Sequence, residues 1–143
     1  MKFYEYSVKF EPGHKKGVIV ATFDDVPEAI TEGKTLFEAE QNAIDALSMA
    51  LLSYPLRGLP VPKANARHGK KISVPADVAA KLAVLEAFAS SKISKSELAK
   101  RLQKDEKEIR RILDPLHATK LSTLIETLAS LGKRLIVGIK QAA

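Results

Sequence analysis

Two closely spaced helix starts restrict the fold of this chain more than any other feature. Ser94 is followed three positions later by Glu97, and Asp105 by Glu108. A Ser or Asp side chain at such a position accepts from the free N–H groups of a first helical turn, and the glutamate completes the box. Leu98, Ala99 and Leu102 follow the first start, and Ile109, Ile112 and Leu113 follow the second, at helical spacing. Ser94 to Leu113, SKSELAKRLQKDEKEIRRIL, therefore predicts two short helices joined by a tight turn. Asp114-Pro115 ends the second helix, because the residue before a proline is pushed out of helical geometry.

The second of these helices carries Lys107, Arg110 and Arg111. That is the pattern of a helix-turn-helix, whose second helix enters a DNA major groove. Arginine offers a planar fork that pairs with guanine O6 and N7. The expected DNA-binding residues are Lys92, Lys95, Ser96, Glu106, Lys107, Arg110, Arg111, Thr119 and Lys120. Arg110 is the expected base reader. Lys92, Lys95, Ser96, Thr119 and Lys120 fall near helix ends, where they meet phosphates and fix register without reading sequence.

The N-terminal half has a different period. Tyr4, Tyr6, Val8 and Phe10 alternate along Lys2 to Phe10, which predicts a half-buried strand. Gly17 to Phe23 predicts its hairpin partner across a Pro12-Gly13 turn, and Ala29 to Thr31 a short third strand ending at Gly33. Thr35 with Glu38 starts a helix whose apolar face is Leu36, Ala39, Ala43, Leu47, Ala50 and Tyr54, with Pro55 as its stop. Lys63 to Lys71 reads as an exposed loop or linker, and Lys71 to Val74 as a fourth strand. From Ala76 the spacing turns helical, with a first helix on Val78, Leu82, Leu85 and Ala89. A last helix runs from about Ser122 to Leu131 with Gly132 as its stop, and Arg134 to Lys140 (RLIVGIK) reads as a final strand. The fold class is α+β, a βββαβ unit followed by a helical unit with a C-terminal strand. The division falls at Pro75, giving domains of residues 1–75 and 76–143.

Charge follows the same division. Residues 1–62 hold six basic and nine acidic side chains, residues 63–71 four basic and none acidic, and residues 72–143 thirteen basic and eight acidic. Such asymmetry predicts two partners of opposite charge. There is no cysteine, which excludes disulfides, thiol catalysis and cysteine-zinc sites. No apolar run approaches a membrane span, and Lys2 is followed by Phe-Tyr-Glu-Tyr rather than a signal-peptide core, so cytoplasmic residence is expected.

No constellation of catalytic type stands out. Glu5, Asp24, Asp25, Glu38 and Asp45 are the carboxylates a metal nuclease would use, but Glu5 alternates away from the tyrosine face. Asp24 and Asp25 lie in a turn, and Glu38 has a capping role. His14, His68 and His117 show no metal-ligand spacing. The expectation is a protein with no enzymatic activity, no metal and no cofactor.

Several segments together resemble the HicB family of antitoxins, in the branch that carries a helix-turn-helix. They are Val8-Lys9-Phe10, Phe23-Asp24-Asp25-Val26-Pro27, Thr31 to Thr35, Glu38-Ala39 and Leu59 to Pro62 in the first half. In the second half they are Ser96 to Ala99, Arg110 to Pro115 and Leu131 to Leu135. Glu28 stands where the family often has glycine. The resemblance implies a partial RNase H-like N-terminal fold that binds and silences a small HicA-type mRNA-cleaving ribonuclease toxin. It also implies a C-terminal domain that binds operator DNA and represses the chain's own operon, as a homodimer or higher oligomer. Asp24, Asp25, Glu28 and Glu32 are the residues expected to meet the basic toxin, by electrostatic steering. A ligand-sensing transcriptional regulator without a toxin partner is the alternative.

Overall fold

Tyr4, Tyr6 and Val8 alternate onto one face of the chain's first strand, and all three are buried. The structure, a computed structural model, describes residues 1–142; Ala143, the last residue of the expected second domain, lies outside them. The first strand, β1 (Glu5–Pro12), pairs antiparallel with β2 (Ile19–Thr22) on one side and with β4 (Lys70–Ser73) on the other. The short strand β3 (Ile30–Gly33) pairs with β2, so the sheet order is β3-β2-β1-β4 and every pairing is antiparallel. Helix α1 (Leu36–Leu56) lies between β3 and β4 in the chain and buries Ala39, Ala43, Leu47, Ala50 and Leu51 against the sheet. The molecule is α+β, with this sheet and five helices among the described residues.

Local chemistry sets these elements. Thr35 Oγ1 accepts from the Glu38 N–H at 3.0 Å and opens α1. Gly33 is needed because α1 docks directly on β3: a Cβ built there would lie 2.7 Å from the Cα of Ala39. The helix runs one residue past Pro55, and the stop is Gly58. Its left-handed backbone (φ +68°) lets the Leu59 N–H reach the Tyr54 carbonyl at 2.9 Å and its own N–H reach Pro55 at 3.0 Å. Leu36, expected on the apolar face, is exposed instead, and the buried face of α1 begins at Ala39, which packs on Gly33.

Four helices follow: α2 (Ala76–Ser91), α3 (Lys95–Leu102), α4 (Glu106–Ile112) and α5 (Leu121–Ser130). Two hydrophobic cores result, and α2 belongs to both. Leu82 is buried with the sheet and α1, while Ala80, Val84 and Ala87 are buried with α3, α4 and α5. Full burial of a leucine contributes about 2 kcal/mol, and Val78, Ala79 and Ala83 of α2 pack on the first core beside Leu82. Polar contacts add to this. Glu86 of α2 accepts from the Tyr4 hydroxyl at 2.7 Å and from Lys2 Nζ at 2.8 Å.

The expected C-terminal strand is not present. Residues 134–142 form no helix and no strand ladder. Leu135 packs on the second core, Lys140 Nζ reaches Glu5 at 2.8 Å, and Ile136, Val137 and Ile139 stay exposed. A strand needs the N–H and C=O row of a neighbour, and residues 134–142 pair with no strand among the described residues.

Candidate functional site

The segment 94–113 is bihelical. Ser94 Oγ accepts from the Glu97 N–H at 3.0 Å, and Asp105 Oδ1 from the Glu108 N–H at 2.8 Å. Between the helices Gln103 adopts a left-handed conformation (φ +53°), and the Lys104 N–H closes back on the Ala99 carbonyl at 3.0 Å. Leu98, Ala99 and Leu102 of α3 face the second core together with Ile109 and Ile112 of α4. With those inward, Glu106, Lys107, Arg110 and Arg111 are exposed on the outer side of α4.

The cations on that face are not neutralised locally. Glu108 pairs with Lys104 at 3.7 Å, Glu97 with Arg101 at 3.4 Å, and Glu106 accepts from Ser96 Oγ at 2.9 Å. Among the described residues Lys107, Arg110 and Arg111 have no carboxylate partner. Lys92 is the left-handed residue ending α2, Lys95 begins α3, and Lys120 caps the start of α5; all three are exposed. Thr119 is half-buried, and its hydroxyl accepts from Lys81 Nζ at 2.7 Å.

Lys81 is the residue that sequence reasoning missed. It is only 4 % exposed. Its ammonium lies 2.8 Å from the Ile112 carbonyl, 3.4 Å from the Arg111 carbonyl and 2.7 Å from Thr119 Oγ1. Three donors thus meet three acceptors, two of them carbonyls at the end of α4, of which that of Arg111 also accepts from the Asp114 N–H at 3.2 Å. Burial pulls the amine down to about 8, with the Asp114 charge acting the other way. The signal was positional: 81 lies between Val78 and Leu85 at helical spacing, where an apolar stripe would continue.

The four N-terminal acids are spread over different tasks. Asp24 pairs with Lys9 at 2.8 Å. Asp25 Oδ2 accepts from the N–H groups of Asn65 and Ala66 at 2.9 and 2.8 Å, so this carboxylate anchors the 63–69 loop. That loop is thereby folded onto the sheet, and Ser7 Oγ donates to Ala66 O at 2.9 Å. Glu28 accepts from the Tyr54 hydroxyl at 2.6 Å and pairs with Arg57 at 3.7 Å, and the Tyr54 hydrogen bond lowers its pKa. Glu32 is exposed on β3, near Ile30, Leu36 and Phe37, which are also exposed.

Of the nuclease-type carboxylates, Glu5 is held by Lys140 and Ser73, and the Lys140 hydrogen bond lowers its pKa. No group of three or more His, Asp or Glu able to hold a metal ion occurs among the described residues. His14 and His68 are exposed, and His117 Nδ1 lies 3.2 Å from Thr119 Oγ1. No helix among the described residues is long and apolar enough to cross a membrane.

Comparison with known proteins decides the family. The family described as the HicB-like antitoxin of bacterial toxin–antitoxin systems matches residues 5–83, from β1 into α2. The chain belongs to the HicB-like antitoxin family. The antitoxin is 39% identical over 132 residues to Antitoxin HicB of Escherichia coli strain K12, covering 91% of this chain and 95% of that one. It is 35% identical over 140 residues to Antitoxin HicB 1 of Photorhabdus laumondii, covering 98% and 90%. With Antitoxin HicB of Pseudomonas fluorescens it shares 31% over 142 residues, covering 97% and 96%. These alignments extend past the family match and take in α3 and α4 as well.

Proposed function

We propose that this antitoxin covers a HicA-type ribonuclease toxin with its first unit and represses its own operon with its second. The N-terminal unit, residues 1–75, is read as a partial RNase H-like domain, supported by the strand order and by α1 between β3 and β4. Residues 76–143 are read as a helix-turn-helix domain, with α4 as the recognition helix. The chain acts by occlusion and binding, in the cytoplasm, and not as an enzyme.

One observation carries the operator-binding reading: Lys107, Arg110 and Arg111 stand exposed on a short helix, without carboxylate partners among the described residues, beside the two-helix turn. A cationic helix face backed by two buried isoleucines matches a groove lined by phosphates and base acceptors. Lys92, Lys95, Ser96 and Lys120 flank it as phosphate contacts, while the Thr119 hydroxyl is taken up by Lys81 and Glu106 is held by Ser96. For the toxin, Asp24, Glu28 and Glu32 supply the negative field, with Asp25 shaping the loop behind them. The exposed Ile30, Leu36 and Phe37 supply apolar contact beside it. The exposed Ile136, Val137 and Ile139 favour a homodimer, which would set two α4 helices at half-sites one DNA turn apart or a multiple of that.

Co-expression tests this. The small basic reading frame beside this one should arrest growth alone, and growth should return when the antitoxin is supplied. Continued arrest with soluble antitoxin present would refute the toxin-neutralising half.

A further inference from the structure

We propose that Lys81 is the positioning residue of the DNA-reading helix. It ties the C-terminal end of α4 to the segment entering α5, and so sets the angle at which Arg110 and Arg111 meet DNA. The proposal rests on the operator-binding reading above.

Helix α4 is short, and within it only Ile109 and Ile112 are buried. Two apolar contacts on one side leave a seven-residue helix free to tilt about that line. The last carbonyls of a helix lack a following helical turn, and here that of Arg111 accepts from the Asp114 N–H at 3.2 Å. Lys81 supplies donors to two of them, Arg111 and Ile112, and to Thr119 Oγ1 on the far side of the Asp114-Pro115 turn. The ammonium therefore bridges both ends of the connection between α4 and α5. A cation at a helix C-terminus is also favoured by the helix dipole. The next residue on α2, Leu82, is fully buried in the first core, so the bridge is fastened to a fixed point.

Stability alone does not explain a lysine here. Burying an ammonium costs several kcal/mol, and well-packed apolar residues often replace buried charges without loss. What an apolar side chain cannot do is fix the direction of the α4 carbonyls. That is a geometric role, and it matters for the element whose side chains must reach base edges.

The groups around Lys81 are few. Asp114 is the charge that acts on it, His117 contacts Thr119, and Asp77 lies one turn earlier on α2. Helix α5 carries one titratable residue, Glu126, which is exposed.

The test uses the full chain, a duplex of the sequence immediately upstream of its reading frame, and a scrambled duplex of equal length. In Lys81→Met we expect upstream-duplex affinity to fall about tenfold, the size of one lost charge-assisted hydrogen bond. Affinity for the scrambled duplex, held by Lys95 and Lys120, should stay within about twofold. The melting temperature should be equal or higher. Should Lys81→Met fail to fold, the wild type carries the test between pH 7.5 and 9.5. Neutralising the amine should weaken upstream-duplex binding while thermal stability rises, a pairing that a merely structural lysine would not give. Unchanged binding in Lys81→Met, or affinity flat across that pH range, overturns the proposal. If the wild type does not distinguish the two duplexes at all, the operator reading itself fails and takes this role with it.

Discussion

Asp25 Oδ2 accepts from the backbone N–H of Ala66 at 2.8 Å and of Asn65 at 2.9 Å. A carboxylate placed in a turn before β3 thus holds a loop forty residues further along the chain. Replacing it by Ala leaves two N–H groups without their acceptor and frees the loop from Ser7. Asp25→Ala should destabilise the protein by about 1–3 kcal/mol, seen as a lower urea midpoint. A midpoint equal to that of the wild type would show that the loop holds without it.

Because Asp25 is engaged, steering of a basic toxin falls to acids that face outward. Asp24→Asn combined with Glu32→Gln should slow association several-fold at low salt and flatten its salt dependence, with little effect on dissociation. Stopped-flow mixing of toxin and antitoxin at two ionic strengths measures it. An unaltered association rate would remove these acids from the encounter.

The two N-caps set the bihelical unit. Ser94→Ala and Asp105→Ala should each cost about 1 kcal/mol. Asp105→Ala should also lower binding to the upstream duplex, since it frays the first turn of α4. Chemical denaturation and fluorescence anisotropy on the same samples separate the two effects. Loss of stability in Asp105→Ala without loss of binding would dissociate the cap from the reader.

Lys81 also gives stability a pH dependence. The unfolded amine has its ordinary value of 10.5, and burial brings the folded one to about 8. Below pH 8 both states hold the proton and this group adds no slope. Between pH 8 and 10 the unfolded chain binds more protons, so stability rises with pH, by at most ~1.4 kcal/mol per pH unit. Above that range Tyr6, pushed up to about 12 by burial, reverses the sign, because its unfolded form ionises first. Urea unfolding at pH 7.5 and 9.5 should show the rise in the wild type and its absence in Lys81→Met. A fall in wild-type stability over that interval would contradict the buried lysine.

Much of this arrangement was readable from residue order. The alternation of Tyr4, Tyr6 and Val8 marked the buried face of β1, and Thr35, Ser94 and Asp105 marked three helix starts, because these signals are local. What escaped depends on contacts between distant segments. Asp25 looked like an ordinary turn acid because its partners lie in the 63–71 loop. Lys81 drew no reading because its acceptors, the Arg111 and Ile112 carbonyls and Thr119, lie some thirty or more residues further along the chain. The terminal RLIVGIK has the composition of a strand, but composition does not supply the neighbouring backbone a strand requires. Thr119 fell at a helix end as expected, yet its hydroxyl is turned toward Lys81.

The most direct measurement is binding of Arg110→Ala to the upstream and scrambled duplexes across a salt series. The wild type should prefer the upstream duplex, with a slope of log affinity against log salt of roughly −5. Arg110→Ala should lose about 10- to 100-fold on that duplex and only a few-fold on the scrambled one. Equal losses on both, or a wild type with no preference, would contradict an antitoxin that reads its own promoter through α4.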